Sequence, residues 1–136
     1  MTRLILLVST LFSLVTCHFS PRQADCSKFR AGEFYLANKK LGTQYRIVRN
    51  DVNQIETDKR SGTTSIFRIK WISPCEYELT FLSKKSAASD TTTFIPPFRV
   101  LRTRIISTGD TYYIFESKAL GIDITYGDTI WVTKTR

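Results

Sequence analysis

From residue 32 onward apolar positions alternate with polar ones, and no stretch keeps helical spacing for three turns. A period of two puts one face of an extended chain inside and the other in water, so the pattern predicts β-strands. The clearest pair is Phe67-Arg68-Ile69-Lys70-Trp71 and Tyr77-Glu78-Leu79-Thr80-Phe81, separated by the turn signal Ser73-Pro74. Setting Trp71 against Tyr77 places Ile69 opposite Leu79, Phe67 opposite Phe81 and Lys70 opposite Glu78. Aromatic and opposite-charge cross-strand pairs each contribute a few tenths to about 1 kcal/mol, so both faces favour one register. Phe67, Trp71, Tyr77 and Phe81 then face inward, while Arg68, Lys70, Glu76 and Glu78 form a mixed-charge outer surface.

A second hairpin turns at Asn50-Asp51, with Ile47 expected opposite Ile55 and Arg46 opposite Glu56. A third joins Leu101–Ile106 to Tyr112–Glu116 across Thr108-Gly109-Asp110. Tyr126-Gly127-Asp128 echoes that turn and is expected to launch a last strand over Thr129–Thr133. Phe115 and Trp131 join the inward-facing aromatics. With Gly32–Leu36 the count is about eight short strands, the spacing of a sandwich or barrel. Short sequential loops favour an all-β antiparallel meander that closes, or partly closes, into a small lipocalin-like barrel. Such barrels usually fill their interiors with side chains, so the inward aromatics are expected as core. Segment 83–98, with a Thr triplet and Pro96-Pro97, reads as a mobile surface loop. The organisation is a leader over 1–17, an N-terminal segment over 18–31 and one β domain over 32–136.

The leader has the form of a signal peptide. Arg3 precedes a run of low polarity from Leu4 to Val15. That run is too short for a helix spanning a bilayer, which needs about 20 apolar residues. Val15-Thr16-Cys17 permits ordinary cleavage after Cys17. Leu14-Val15-Thr16-Cys17 also reads as a loose lipobox, with Cys17 as the acylated first residue. On either route the protein is exported, and Cys26 and Cys75 remain as one disulfide pair in an oxidising compartment. Closing that loop contributes about 3–4 kcal/mol in the chain-entropy model.

The chain has 136 residues, with 20 Lys+Arg against 12 Asp+Glu and a net charge of +8. Such a balance suits anionic partners. Lys84, Lys85, Arg99, Arg102 and Arg104 form the candidate anion-contact surface, for lipid headgroups or acidic glycans. Export argues against nucleic acid. The single histidine, His18, lies beside the processing site, which removes histidine-based catalysis. No C-x-x-C, G-x-S-x-G, H-E-x-x-H or glycine-rich phosphate loop occurs. No cofactor or metal site is therefore expected. Glu76 and Glu78 are the one carboxylate pair that invites a hydrolase reading, but beside Arg68 and Lys70 they read as a salt-bridged outer face.

Cys26-Ser27-Lys28-Phe29-Arg30-Ala31-Gly32-Glu33-Phe34, then Arg49 and Gln54-Ile55-Glu56, then Trp71-Ile72-x-x-Cys75-Glu76-Tyr77-Glu78-Leu79 carry a resemblance over residues 17–82. The pattern C-x-x-F-x-x-G-x-F … R…Q-x-E … W-x-x-x-C-x-Y-x-L resembles small exported proteins of unknown function from Gram-negative bacteria. Many of those are predicted lipoproteins, which implies lipidation at Cys17, and the resemblance implies no activity. Some carry a topoisomerase label, which this chain, with no ATP-binding pattern, does not support. The expectation is a monomeric, non-enzymatic β-barrel in the bacterial envelope, periplasm-facing or at the outer membrane. It would be anchored through Cys17 and act as a binding or envelope-associated module. The alternatives are a soluble lipocalin-like carrier of a small apolar ligand and a carboxylate-based hydrolase.

Overall fold

The computed structural model describes residues 25–39, 42–86 and 99–133; Cys17 and the leader lie outside them. Eight antiparallel strands follow one another around a closed barrel. They are β1 (Gly32–Asn38), β2 (Thr43–Arg49), β3 (Asn53–Asp58) and β4 (Thr64–Ser73). Then come β5 (Glu76–Lys85), β6 (Val100–Thr108), β7 (Tyr112–Ala119) and β8 (Thr125–Val132). Each strand pairs with its sequence neighbours, and β1 closes on β8.

The β4–β5 register is the one the alternation predicts, with Trp71 opposite Tyr77, Ile69 opposite Leu79, Phe67 opposite Phe81 and Lys70 opposite Glu78. Phe67, Ile69, Tyr77 and Leu79 are buried. β5 runs on to Lys85, so Ser83, Lys84 and Lys85 are strand rather than loop. The rest of the expected mobile loop, 87–98, lies outside the described residues.

Three expectations are corrected. The β2–β3 register is shifted by one, with Ile47 opposite Glu56, Arg46 opposite Thr57 and Val48 opposite Ile55. Asn50 causes the shift. Its side-chain Oδ1 accepts from the N–H groups of Val52 and Asn53, and its own N–H reaches the Asn53 carbonyl. The turn thus has Asp51-Val52 at its tip, and the slip sends Gln54 and Glu56 inward and Ile55 outward. Second, Tyr126-Gly127-Asp128 is strand: β8 starts at Thr125 and pairs Gly127 with Glu116. A Cβ on Gly127 would stand 2.8 Å from the Phe115 carbonyl, so glycine serves close strand approach here rather than a turn. The turn lies before it, where Gly121 takes φ +90° and the Ala119 N–H meets the Ile124 carbonyl. Third, Trp131 points outward, 38% exposed, because its neighbour Ile130 takes the inward position. It stacks on Tyr35 and lies against Tyr112, making an external aromatic seam where the barrel closes.

One end of the barrel is plugged. A 3₁₀ turn over Ser27–Phe29 lies there, with Cys26 and Phe29 fully buried. The Cys26–Cys75 disulfide, with Cα atoms 5.3 Å apart, fastens that plug to the β4–β5 turn. The Phe29 ring packs against Phe34 and Tyr113.

Candidate functional site in the barrel lumen

The plug rests on a buried cation. Arg49, at the end of β2, is 2% exposed. Its Nε donates to Gln54 Oε1 at 2.7 Å and its Nη1 to the Phe29 carbonyl at 2.8 Å. Its Nη2 donates to the hydroxyls of Tyr113 and Tyr77, at 2.9 and 3.1 Å. The rings of Tyr77, Phe34, Tyr113 and Trp71 surround the guanidinium, with Tyr77 nearest at 4.7 Å. A guanidinium stays protonated at any relevant pH, so neutral acceptors and aromatic faces hold this charge out of water. Burial, with Tyr77 alongside, pushes the Tyr113 hydroxyl well above its ordinary pKa despite the neighbouring Arg49.

Gln54 carries the network upward. Its Oε1 accepts from Arg49 while its Nε2 donates to Glu56 Oε1 at 2.6 Å. Glu56 thus stands one side chain above the closed end, on the inner wall of β3. Burial raises the pKa of its carboxyl, a shift partly offset by the Gln54 hydrogen bond and the charge of Arg49.

Above that floor the barrel is open rather than filled. A cavity of about 260 Å³ has an apolar wall of Leu36, Ile47, Leu79, Phe115 and Ile130. Its polar groups include Gln54, Glu56, Thr103, Ser117, Tyr126 and Asp128. Thr103 and Ser117 are buried and bond each other at 2.7 Å, so that wall is satisfied without a guest. Asp128 accepts from Asn38 Nδ2 at 3.2 Å across the seam. Tyr45, on the neighbouring β2, and Tyr126, on β8, line the same lumen as Glu56. Burial raises both hydroxyl pKa values, and the charge of Glu56 adds to each shift. Tyr126 lines the lumen with 44% of the residue exposed. Both phenols are therefore neutral donors near neutral pH.

Two of the expected anion-contact residues stand opposite acidic side chains. Arg102 and Arg104 lie on the outer face of β6, where Arg102 opposes Glu78 and Arg104 opposes Glu76. Arg102 Nη2 bonds Glu78 Oε1 at 2.6 Å and its Nε lies 3.8 Å from Glu76. Arg99 precedes β6, while Lys84 and Lys85 end β5 beyond the last β6 rung. Glu76 and Glu78 face outward beside these cations, as the alternation predicts. The lumen itself is hidden from the alternation pattern, because Gln54, Glu56, Thr103, Ser117 and Asp128 are polar residues at inward positions. One sequence signal pointed there: Gln54-x-Glu56 puts two polar groups on one strand face within the resemblance pattern.

Among the described residues no three His, Cys, Asp or Glu side chains come together as a metal site, and no helix is long and apolar enough to cross a membrane. The residues of the resemblance pattern converge on the plug and floor: Cys26, Phe29, Phe34, Arg49, Gln54, Glu56, Trp71, Cys75 and Tyr77. The chain matches no protein-family model, no curated protein and no solved structure.

Proposed function

We propose that this is an exported binding protein of the cell envelope, anchored through Cys17, that takes a small molecule into the open end of its barrel. One observation carries the reading. An eight-stranded barrel is about narrow enough for side chains to fill, and this one instead keeps an open, mixed polar and apolar cavity above a rigid floor. The lining disfavours the purely apolar cargo of a simple carrier, since such a guest would strip water from Glu56 and Asp128 without replacing it. The disulfide supports export, because such bonds persist in oxidising compartments. Catalysis by Glu76 and Glu78 finds no support, since both face outward beside Arg102 rather than into a cleft.

Amide chemical-shift mapping with a library of small molecules tests the lumen. Shifts clustered on Leu36, Ile47, Glu56, Phe115 and Ser117 are expected. Shifts confined to the outer strand faces would refute a lumenal guest. The intact mass of protein from an exporting cell tests the anchor. Acylation at Cys17, with loss from the membrane fraction in Cys17→Ser, is expected. A soluble wild type beginning at His18 would refute the anchor.

A further inference from the structure

We propose that the guest is a small organic cation, with its ammonium group between Glu56 and Asp128 and its apolar body against Leu36, Ile47, Phe115 and Ile130. This deepens the lumen reading and rests on it.

The sign of the cavity is the starting point. The chain carries +8, yet the described residues lining the cavity include two carboxylates and no Lys, Arg or His. The nearest cation, Arg49, lies beneath the floor with its donors on Gln54, Phe29, Tyr77 and Tyr113. It is therefore spent on the fold. An anionic guest would meet two like charges in a confined space of reduced dielectric. A neutral guest would displace water from Glu56 and leave the carboxylate poorly solvated.

A cation removes that cost. Burial keeps the pKa of the Glu56 carboxyl raised even with the Gln54 hydrogen bond and the charge of Arg49 beneath it, and an ammonium seated in the lumen adds the opposite charge that favours the ionised form. Tyr45 and Tyr126 add aromatic faces at the mouth, and neutral phenol rings attract ammonium groups. Size limits the guest. About 260 Å³ falls just below the usual range of about 300–1,000 Å³ for small-molecule sites, so a single-ring amine suits it better than a lipid or peptide.

Three probes with the same body separate the charge from the fit: 2-phenylethylammonium, 2-phenylethanol and phenylacetate. Each is titrated calorimetrically into the wild type, Glu56→Gln and the mouth-filling Thr43→Trp. The ammonium should bind at least about tenfold tighter than the alcohol, and the acetate weakest. Glu56→Gln should erase most of that preference while leaving the alcohol within about twofold. Thr43→Trp should abolish binding of every probe. Thermal melting checks that each variant folds, and Asp128→Asn substitutes if Glu56→Gln does not. Equal or tighter binding of the alcohol or acetate, lost in Thr43→Trp, overturns the cation assignment and leaves the lumen reading standing. Binding that Thr43→Trp leaves unchanged, or no binding of any probe, overturns both.

Discussion

Replacing Arg49 tests whether its contacts or its burial dominate at the closed end. Arg49→Met keeps much of the length and removes both charge and donors. The Tyr77 and Tyr113 hydroxyls, already 3.3 Å apart, can then satisfy each other. The Phe29 carbonyl and Gln54 Oε1 cannot, and each orphaned buried acceptor costs about 1–3 kcal/mol. Loss of the cation from its ring of aromatics adds about 2 kcal/mol. Against these stands the relief of no longer burying a charge, worth several kcal/mol by itself. A net loss of about 2–4 kcal/mol is expected. Arg49→Lys should be worse by about 1–2 kcal/mol, because a compact ammonium keeps the desolvation cost and cannot serve four acceptors with one planar fork. Urea unfolding followed by Trp71 fluorescence reports both values, since Arg49 lies 6.0 Å from that ring. The reasoning fails if Arg49→Met matches or exceeds the wild type, or if Arg49→Lys proves more stable than Arg49→Met.

Three further outcomes are expected. Cys26→Ser should cost about 2–5 kcal/mol in urea unfolding, close to the effect of reductant on the wild type, because the bridge closes a 49-residue separation. Glu56→Gln should stabilise the fold near neutral pH, with the gain vanishing below about pH 4. The sign follows from linkage. A raised folded-state pKa means the folded protein holds its proton longer than the unfolded chain, so ionisation erodes wild-type stability as pH rises between the two pKa values. Melting temperatures of both proteins across that range would show a flat difference if Glu56 were well solvated. Trp71→Phe should cost less than about 1.5 kcal/mol, because the Trp71 Nε1 is buried without a hydrogen-bond partner to lose, whereas Trp71→Ala should cost about 3. Equal losses in the two variants would contradict that account.

The parts of the fold legible in the sequence are those where both faces of a strand agreed. In β4–β5 the apolar pairs and the Lys70–Glu78 pair demand one register, and the structure adopts it. In β2–β3 a match of Ile47 with Ile55 outweighed the chemistry of Asn50, whose side chain decides where the chain reverses. That single slip hid Glu56, because alternation assigns a carboxylate to the outer face. Trp131 failed for a related reason: next to Ile130, only one of two adjacent apolar residues can face in, and the smaller does. A lumen lined by polar side chains is hard to read from sequence because its inward polar residues mimic the outward face of an ordinary strand.

The seam sets the order in which this barrel comes apart. β1 and β2 share seven paired positions, but β1 and β8 share three: Phe34 with Val132, Tyr35 with Trp131, and Leu36 with Ile130. All other ladders join sequence neighbours and form by local reversal, whereas this one joins the two ends of the domain and must close across the whole loop. The seam is thus the last zip to shut and the first to open. The aromatic overlay of Tyr35, Trp131 and Tyr112 shields those few rungs from outside, and the Asn38–Asp128 contact clasps them at the mouth. Amide exchange should accordingly run faster at Tyr35 and Trp131 than at Ile69 or Leu79. An opening that starts at the Leu36–Ile130 rung widens the mouth while the disulfide still fastens the plug, so molecules can enter and leave the lumen through the seam's upper end.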